Sequence, residues 1–180
     1  FANAGTVRWE REEFLLSDEG EFENTGAITA PLETDSDLFN WGTTDGLFDN
    51  TGTIDVTAER LTISAPSRHE GAVLTAAADA ELSFTNRVHT FAGTTTGDPA
   101  GLVRLSTSGG IVAEAGAALD FGGEGLSWES GFLTSGTLTN EGLVVFDGIN
   151  FNGRGVRNAG SVFANAGTVR WEREEFLLSD

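Results

Sequence analysis

Apolar and polar residues alternate along most of this chain, and alternation with a period of two is the pattern of β-strands that bury one side. The alternation is clearest after a recurring Asn-x-Gly motif. Six copies of the motif are followed by a β-branched residue four positions after the asparagine and by an apolar residue six positions after it. The asparagine and glycine pairs of these copies are Asn3 and Gly5, Asn24 and Gly26, Asn50 and Gly52, Asn140 and Gly142, Asn158 and Gly160, and Asn165 and Gly167.

Each motif predicts a structural corner followed by a short strand, because asparagine and glycine tolerate positive φ and let the backbone bend. We also expect the glycine to leave room where the backbone approaches a narrow core. Asn158 and Asn165 are 7 positions apart, and Asn3 and Asn24 are 21 apart, three times as many. This spacing predicts an all-β fold, a three-sided parallel β-helix (β-solenoid) with about 21 residues per coil and about eight coils between positions 1 and 162.

Two segments depart from the alternation. Leu32 to Asp49 and Phe91 to Ala100 are rich in turn-forming residues. We expect both to protrude as loops, which is where a rigid scaffold usually carries recognition. Trp9 to Leu16 is the segment most compatible with a helix, although a strand with a corner fits its alternation better.

The two ends of the chain carry the same sequence. Residues 1–18 and 163–180 both read FANAGTVRWEREEFLLSD, so the sequence starts again at Phe163. Such identity indicates a tandem array of long repeats. We therefore expect 1–162 to be one solenoid repeat, 163–180 to be the start of the next, and the seam between them to have no linker.

Composition narrows the possible partners. The net charge is −18 at pH 7, and the second copy of the terminal segment contributes two arginines against four carboxylates, which leaves −16 per repeat. Nucleic acids and anionic membranes require clustered cationic side chains, so we predict neither as a partner. The chain has no cysteine and no lysine, and it lacks an apolar run long enough to insert into a membrane.

Acidic residues are the candidate metal ligands. Asp35 and Asp37 lie in a turn-rich stretch with Asp45 and Asp49 close behind, and clustered carboxylates are the ligands that Ca²⁺ prefers. Their spacing matches neither an EF-hand loop nor the glycine-rich calcium-binding repeats. A solvated acidic loop is the simpler interpretation, so we predict no metal and no cofactor, with calcium kept as an alternative.

Other candidate chemistry is weaker. Carboxylate pairs such as Glu12 and Glu13 lack an accompanying lysine, and an active site here would be duplicated in every repeat. We therefore predict no enzyme activity and neither catalytic nor cofactor-binding residues. His69 and His89 are predicted to be exposed polar side chains, since two ligands do not make a zinc site.

The segments 21–30 (EFENTGAITA), 133–146 (LTSGTLTNEGLVVF) and 156–171 (VRNAGSVFANAGTVRW) resemble the degenerate NxGxI/V repeats of large bacterial surface proteins. These are the filamentous-haemagglutinin-like adhesins and the autotransporter passengers. The resemblance implies a right-handed parallel β-helix, export, and an extracellular or bacterial cell-surface location. It carries no family functional residue over to this chain.

The expected function is a structural, non-catalytic repeat of an extracellular filament or stalk. Its partners would be the flanking identical repeats, with lateral self-association and surface glycans as further candidates. The alternative is an adhesin repeat that binds glycan or a partner surface through protruding loops, in a calcium-dependent form or without the ion.

Overall fold

The computed structural model describes residues 1–10, 13–14, 20–38, 46–147, 154–156 and 160–172. These residues form 23 β-strands, and none of them is helical. Within the same residues there is no helix that is long and apolar enough to cross a membrane. The chain is therefore all-β wherever its structure is described.

The strands stack in parallel into three columns, which we call faces A, B and C. Face A contains β1 (Ala2–Asn3), β4 (Glu21–Asn24), β7 (Leu47–Asn50), β10 (Ser67–Glu70), β13 (His89–Ala92), β16 (Ile111–Ala113), β18 (Leu126–Ser135) and β21 (Arg154–Val156). Face B contains β2 (Thr6–Arg8), β5 (Ala27–Pro31), β8 (Thr53–Ala58), β11 (Val73–Ala76), β14 (Thr94–Gly97), β17 (Ala118–Phe121), β19 (Thr137–Asn140) and β22 (Val162–Asn165). Face C contains β3 (Glu13–Phe14), β6 (Ser36–Leu38), β9 (Arg60–Ile63), β12 (Glu81–Thr85), β15 (Leu102–Ser106), the first part of β18, β20 (Leu143–Phe146) and β23 (Thr168–Trp171).

The chain visits the faces in the order A, B, C and then begins the next coil, which is a three-sided parallel β-solenoid. The predicted fold class is confirmed. Coil length varies: the step from Asn3 to its partner Asn24 is 21, the step from Asn24 to Asn50 is 26, and the step from Asn50 to His69 is 19. The mean is roughly 22 residues per turn. At that length positions 1–162 make about seven and one third coils, fewer than the eight expected from the shorter coil.

The core runs along the axis and is filled by the inward side chains of all three faces. On face A, the rings of Phe22 and Phe48 are both buried and lie 5.4 Å apart. On face B, Ile28, Ile54 and Leu74 stack in one column and are fully buried. Burying a side chain of this size contributes about 1.5–3 kcal/mol. Each coil therefore adds its own share of apolar burial, as in other solenoids.

The predicted loops differ from the structure. Phe91 to Ala100 does not protrude: β13 and β14 run through it, and Thr95 on β14 is completely buried. Its threonines and glycines lie in or next to these strands, although residues of these types are also common in turns. The other predicted loop, Leu32 to Asp49, contains β6 and the start of β7, and its positions 39–45 lie outside the described residues.

The corner glycines have a role other than the one predicted from positive φ. A Cβ added to Gly26 would overlap the carbonyl oxygen of Gly5, and one added to Gly52 would overlap that of Gly26. Neither Gly26 nor Gly52 has a positive φ, whereas Gly160 does, at 100°. Glycine is required at the stacked corners because consecutive coils press backbone against backbone there.

A buried asparagine and histidine ladder

Asparagine side chains at the corner between faces A and B form a ladder inside the solenoid. Nδ2 of Asn3 donates to Oδ1 of Asn24 at 2.8 Å, and Nδ2 of Asn24 donates to Oδ1 of Asn50 at 2.6 Å. Each amide also donates to a carbonyl of the next coil, Asn3 to Ala27 at 3.2 Å and Asn24 to Thr53 at 3.3 Å. Asn24 and Asn50 are completely buried, so these bonds satisfy polar atoms that water does not reach.

The backbone at the same corner explains why asparagine and glycine occur together. The amide of Gly5 donates to Oδ1 of Asn3 at 3.1 Å, and the amide of Gly52 donates to Oδ1 of Asn50 at 3.3 Å. A hydrogen bond from a backbone amide to the side-chain oxygen two residues earlier closes a small local turn. The side-chain oxygen of asparagine thus accepts a hydrogen bond within its own corner, and its side-chain nitrogen donates hydrogen bonds to the next coil.

Two buried histidines extend the ladder. Nδ2 of Asn50 lies 3.4 Å from Nδ1 of His69, Nε2 of His69 lies 2.9 Å from Oγ of Ser67, and that Oγ lies 2.7 Å from Nδ1 of His89. Nε2 of His89 faces the carbonyl oxygen of Thr85 at 3.3 Å. A carbonyl can only accept, so His89 carries its hydrogen on Nε2 and accepts from Ser67 on Nδ1. Ser67 then accepts from Nε2 of His69, whose Nδ1 accepts from Asn50.

All hydrogen bonds of the ladder therefore run from donor to acceptor in the same direction. The order is Asn3, Asn24, Asn50, His69, Ser67, His89 and the carbonyl of Thr85. Both imidazoles are neutral in this arrangement, because each uses one nitrogen as donor and the other as acceptor. Aligned hydrogen bonds in an interior of low polarity polarise one another, which strengthens a fully satisfied network.

The histidines lie among aromatic rings. The ring of His69 is 4.9 Å from that of Phe84 and 5.6 Å from that of Phe91, and the ring of His89 is 5.4 Å from that of Phe84. Burial lowers the pKa of His69 to about 3, with the neighbouring His89 adding to the effect, and burial lowers the pKa of His89 to about 4. The prediction that both histidines are exposed is wrong. Each occupies an inward strand position, which isolated histidines in a sequence do not reveal.

A second, shorter ladder lies at the corner between faces B and C. Nδ2 of Asn140 donates to Oδ1 of Asn165 at 2.7 Å and to the carbonyl of Thr168 at 2.9 Å, which repeats the two bonds of the first ladder. Asn140 pairs with Leu119 on the preceding coil, and its buried Oδ1 has no hydrogen-bond partner. The ladder thus begins at Asn140. Asn158 lies outside the described residues.

One copy of the motif has the opposite phase to the others. Val162, four residues after Asn158, is 47 % exposed, whereas Ile28 and Ile54 at the corresponding positions are fully buried. Val162 pairs with the exposed Thr137 on the neighbouring strand. The sequence spacing alone cannot show this, because shifting a strand by one residue turns every side chain to the other side of the sheet.

Arginines connect neighbouring coils on the outside. Arg68 contacts Glu70 at 2.8 Å and Glu114 at 2.9 Å, and it lies 3.7 Å from Asp49. The hydrogen bond from Arg68 lowers the pKa of Glu114, while burial raises the pKa of Asp49 despite the opposing charge of Arg68. Exposed pairs of this kind usually contribute little to stability.

Of the candidate calcium ligands that the structure describes, Asp49 lies apart from Asp35 and Asp37. Asp37 is on β6 of face C and Asp49 is on β7 of face A, while Asp45 lies outside the described residues. Asp35 forms an ion pair with Arg60. Where the chain is described, no group of three or more His, Cys, Asp or Glu side chains is arranged to hold a metal ion.

An open groove of about 400 Å³ lies over face C and the corners on either side of it. Its charged lining comprises Asp79, Glu81, Glu124, Asp147, Glu172 and Arg170. Arg170 lies 2.8 Å from Glu172 and 3.7 Å from Glu124, so part of this charge is paired within the groove.

Among the described residues, the ladder assembles buried polar groups with defined geometry, and its hydrogen bonds join successive coils. The outer surface carries ion pairs and an acidic groove. Comparison with known proteins returned no match among protein-family models, curated proteins or solved structures.

Proposed function

We propose that this chain is a structural, non-catalytic repeat of an extracellular or cell-surface filament or stalk. The observation that carries the proposal is the position of the seam between the two copies of the terminal segment. The seam falls between residues 162 and 163, which lie within β22 (Val162–Asn165). A strand that contains the seam favours a solenoid that passes from one repeat into the next without a linker.

The described part of the second copy, residues 163–172, is bonded to the preceding coil by the same kinds of interaction as the rest of the solenoid. β22 pairs with β19 and β23 pairs with β20, and the ring of Trp171 lies 5.5 Å from that of Phe146. Asn140 donates across the seam to Asn165. Such contacts allow any number of repeats to be joined, because each coil interacts only with its neighbours.

Charge and sequence resemblance support the location. The −16 of each repeat keeps long rods soluble and apart through mutual repulsion. The NxGxI/V pattern resembles that of exported bacterial surface proteins, and this resemblance is the basis for proposing export.

The length of multi-repeat proteins tests the filament. With about 4.8 Å per coil, proteins of one, two and four tandem repeats should lengthen by about 35 Å per repeat at constant cross-section in small-angle X-ray scattering. A compact particle whose cross-section grows with repeat number would contradict the proposal. Antibodies against the repeat should label intact host cells, and labelling that requires permeabilised cells would overturn the external location.

A further inference from the structure

The two copies of the repeated segment lie on different faces of the solenoid. In the first copy, Ala2–Asn3 is on face A and Thr6–Arg8 is on face B. In the second copy, the equivalent residues 164–165 are on face B and 168–170 are on face C. Identical sequence thus occupies positions that differ by one face.

The corners at the two positions use the same hydrogen bonds. The amides of Thr25 and Gly26 donate to the carbonyl of Asn3 at 2.8 and 3.1 Å. The amides of Ala166 and Gly167 donate to the carbonyl of Asn140 at 2.8 and 2.9 Å. Since the Asn-x-Gly corner is built equally well between faces A and B and between faces B and C, its sequence does not tie it to one corner.

The number of coils in a repeat explains the shift. Among the described residues, face A has eight consecutively paired strands from β1 to β21, which makes seven steps from coil to coil, and β22 follows on the next face. The distance along the chain from Phe1 to its copy Phe163, at roughly 22 residues per turn, agrees with seven coils and about one third of another. A repeat with a whole number of coils would have returned its second copy to face A.

We propose that each successive repeat is set one face further around the solenoid, so that a given residue occupies the three faces in turn and returns to its first face after three repeats. This inference rests on the proposed function, because it describes the array that the filament would contain. Three repeats make about 22 coils, or about 105 Å at ~4.8 Å per coil.

The arrangement determines how a filament displays its surface. The Arg68 cluster, with Asp49, Glu70 and Glu114, is on face A in this repeat. It would be on face B in the next repeat and on face C in the one after. A ligand or a neighbouring filament that recognises one such surface would then meet it from three directions, and on any one side only at every third repeat.

Engineered disulfides test the shift in the 180-residue chain, which has no cysteine of its own. Val145 pairs with Arg170 on face C, and Thr139 pairs with Ala164 on face B. Neighbouring residues of parallel strands are within the Cα separation that a disulfide bridges. Val145→Cys with Arg170→Cys, and Thr139→Cys with Ala164→Cys, should therefore both cross-link within one molecule under mild oxidation.

The matched control is Thr139→Cys with Arg170→Cys, because a repeat without the shift would place Arg170 on face B beside Thr139. We expect no intramolecular cross-link in this variant. Peptide mapping of the monomer fraction identifies the bonds, single-cysteine variants report intermolecular coupling, and circular dichroism verifies the fold. A cross-link in the control, or its absence from the first two variants while the β-structure is retained, would overturn the shift.

Failure of this test can be distinguished from failure of the filament proposal. If the control pair cross-links while multi-repeat proteins still lengthen by about 35 Å per repeat, the filament stands and the face shift is wrong. If the predicted pairs cross-link but multi-repeat proteins do not form rods, the filament proposal is wrong although the local geometry is right.

Discussion

The first coils of the solenoid and its central coils form their corners by two different means. In the ladder coils, residues 1–58, corner glycines such as Gly26 do not have positive φ and serve to let two backbones approach. In the central coils, residues 86–136, the backbone turns at glycines with positive φ, among them Gly93 at 56° and Gly116 at 76°. The corners that carry the asparagine ladder are of the first kind, in which glycine allows two backbones to approach closely.

The central coils also contain an intermediate form of the corner. The amide of Gly109 donates to Oγ1 of Thr107 at 3.0 Å, as Gly5 does to Asn3, and a Cβ on Gly109 would overlap the backbone of Arg87. Thr107 instead donates its hydroxyl to the carbonyl of Arg87. A corner of the first kind therefore combines a small polar side chain with a glycine two residues later. Asparagine adds a donor that reaches the side chain of the next coil.

The largest difference between the two regions should appear when alanine replaces their glycines. Gly26→Ala would force a Cβ into the carbonyl of Gly5, so we expect a loss of at least about 3 kcal/mol, enough to unfold the first coils. Apart from its two chain neighbours, Gly116 has no residue within 4 Å of its Cβ position, so Gly116→Ala should cost only the conformational strain of about 1–2 kcal/mol. Urea denaturation of both variants measures this, and equal losses would contradict the role assigned to Gly26.

Replacing a ladder asparagine should have the next largest effect. Asn24→Leu removes the acceptor of Asn3 and the donor to Asn50 inside the core, and we expect a loss of about 2–3 kcal/mol. The matched variant in the central coils is Thr95→Val, since the buried hydroxyl of Thr95 has no hydrogen-bond partner. That change should leave stability unchanged or raise it slightly in chemical denaturation. A neutral Asn24→Leu would show that the ladder does not stabilise the coils.

Acid should weaken the region where the ladder meets the central coils. The pKa values of His69 and His89, about 3 and about 4, lie below the ordinary value of 6.5, so the unfolded chain takes up these protons first as pH falls. Above pH ~6.5 the two histidines leave the free energy of unfolding at its full value. Towards pH ~4 it falls by about 1.4 kcal/mol per pH unit for each imidazole. The free energy of unfolding should depend less steeply on pH when both histidines are replaced by phenylalanine. The variant and the parent protein have the same carboxylates, so the difference between their slopes reports on the histidines. An unchanged slope would argue against buried neutral imidazoles.

The outer ion pairs should matter least. Arg68→Met keeps most of the side-chain packing and removes the contacts with Glu70 and Glu114, and we expect a loss below about 1 kcal/mol that shrinks further at high salt. Thermal denaturation at low and high ionic strength measures it. A loss as large as that of Asn24→Leu would mean that the exterior, and not the ladder, holds the coils in register.

These differences show how far the sequence predicts the molecule. Alternation and the Asn-x-Gly motif are sufficient to predict a three-sided parallel solenoid, because both report directly on strands and corners. They cannot predict which residues stack, since coil length varies: the step from Asn24 to Asn50 is 26, and that from Asn50 to His69 is 19. The ladder reaches His69 only because of that short coil.

The mistakes have related causes. The motif does not predict that Val162 is exposed, because it does not fix which side of the sheet each residue of the following strand faces. Phe91 to Ala100 has the turn propensity of a loop because of its threonines and glycines, although the neighbouring strands hold it in the sheet. Both depend on contacts with the coils before and after them, and local patterns do not contain this information.

The most direct test of the continuous solenoid is a cryo-electron microscopy structure of four tandem repeats. We predict one unbranched rod with layers ~4.8 Å apart that run without interruption through every seam, and an axial length of about 35 Å per repeat. Separate particles joined by flexible connections, or a loss of layers at residues 162–163, would contradict the account.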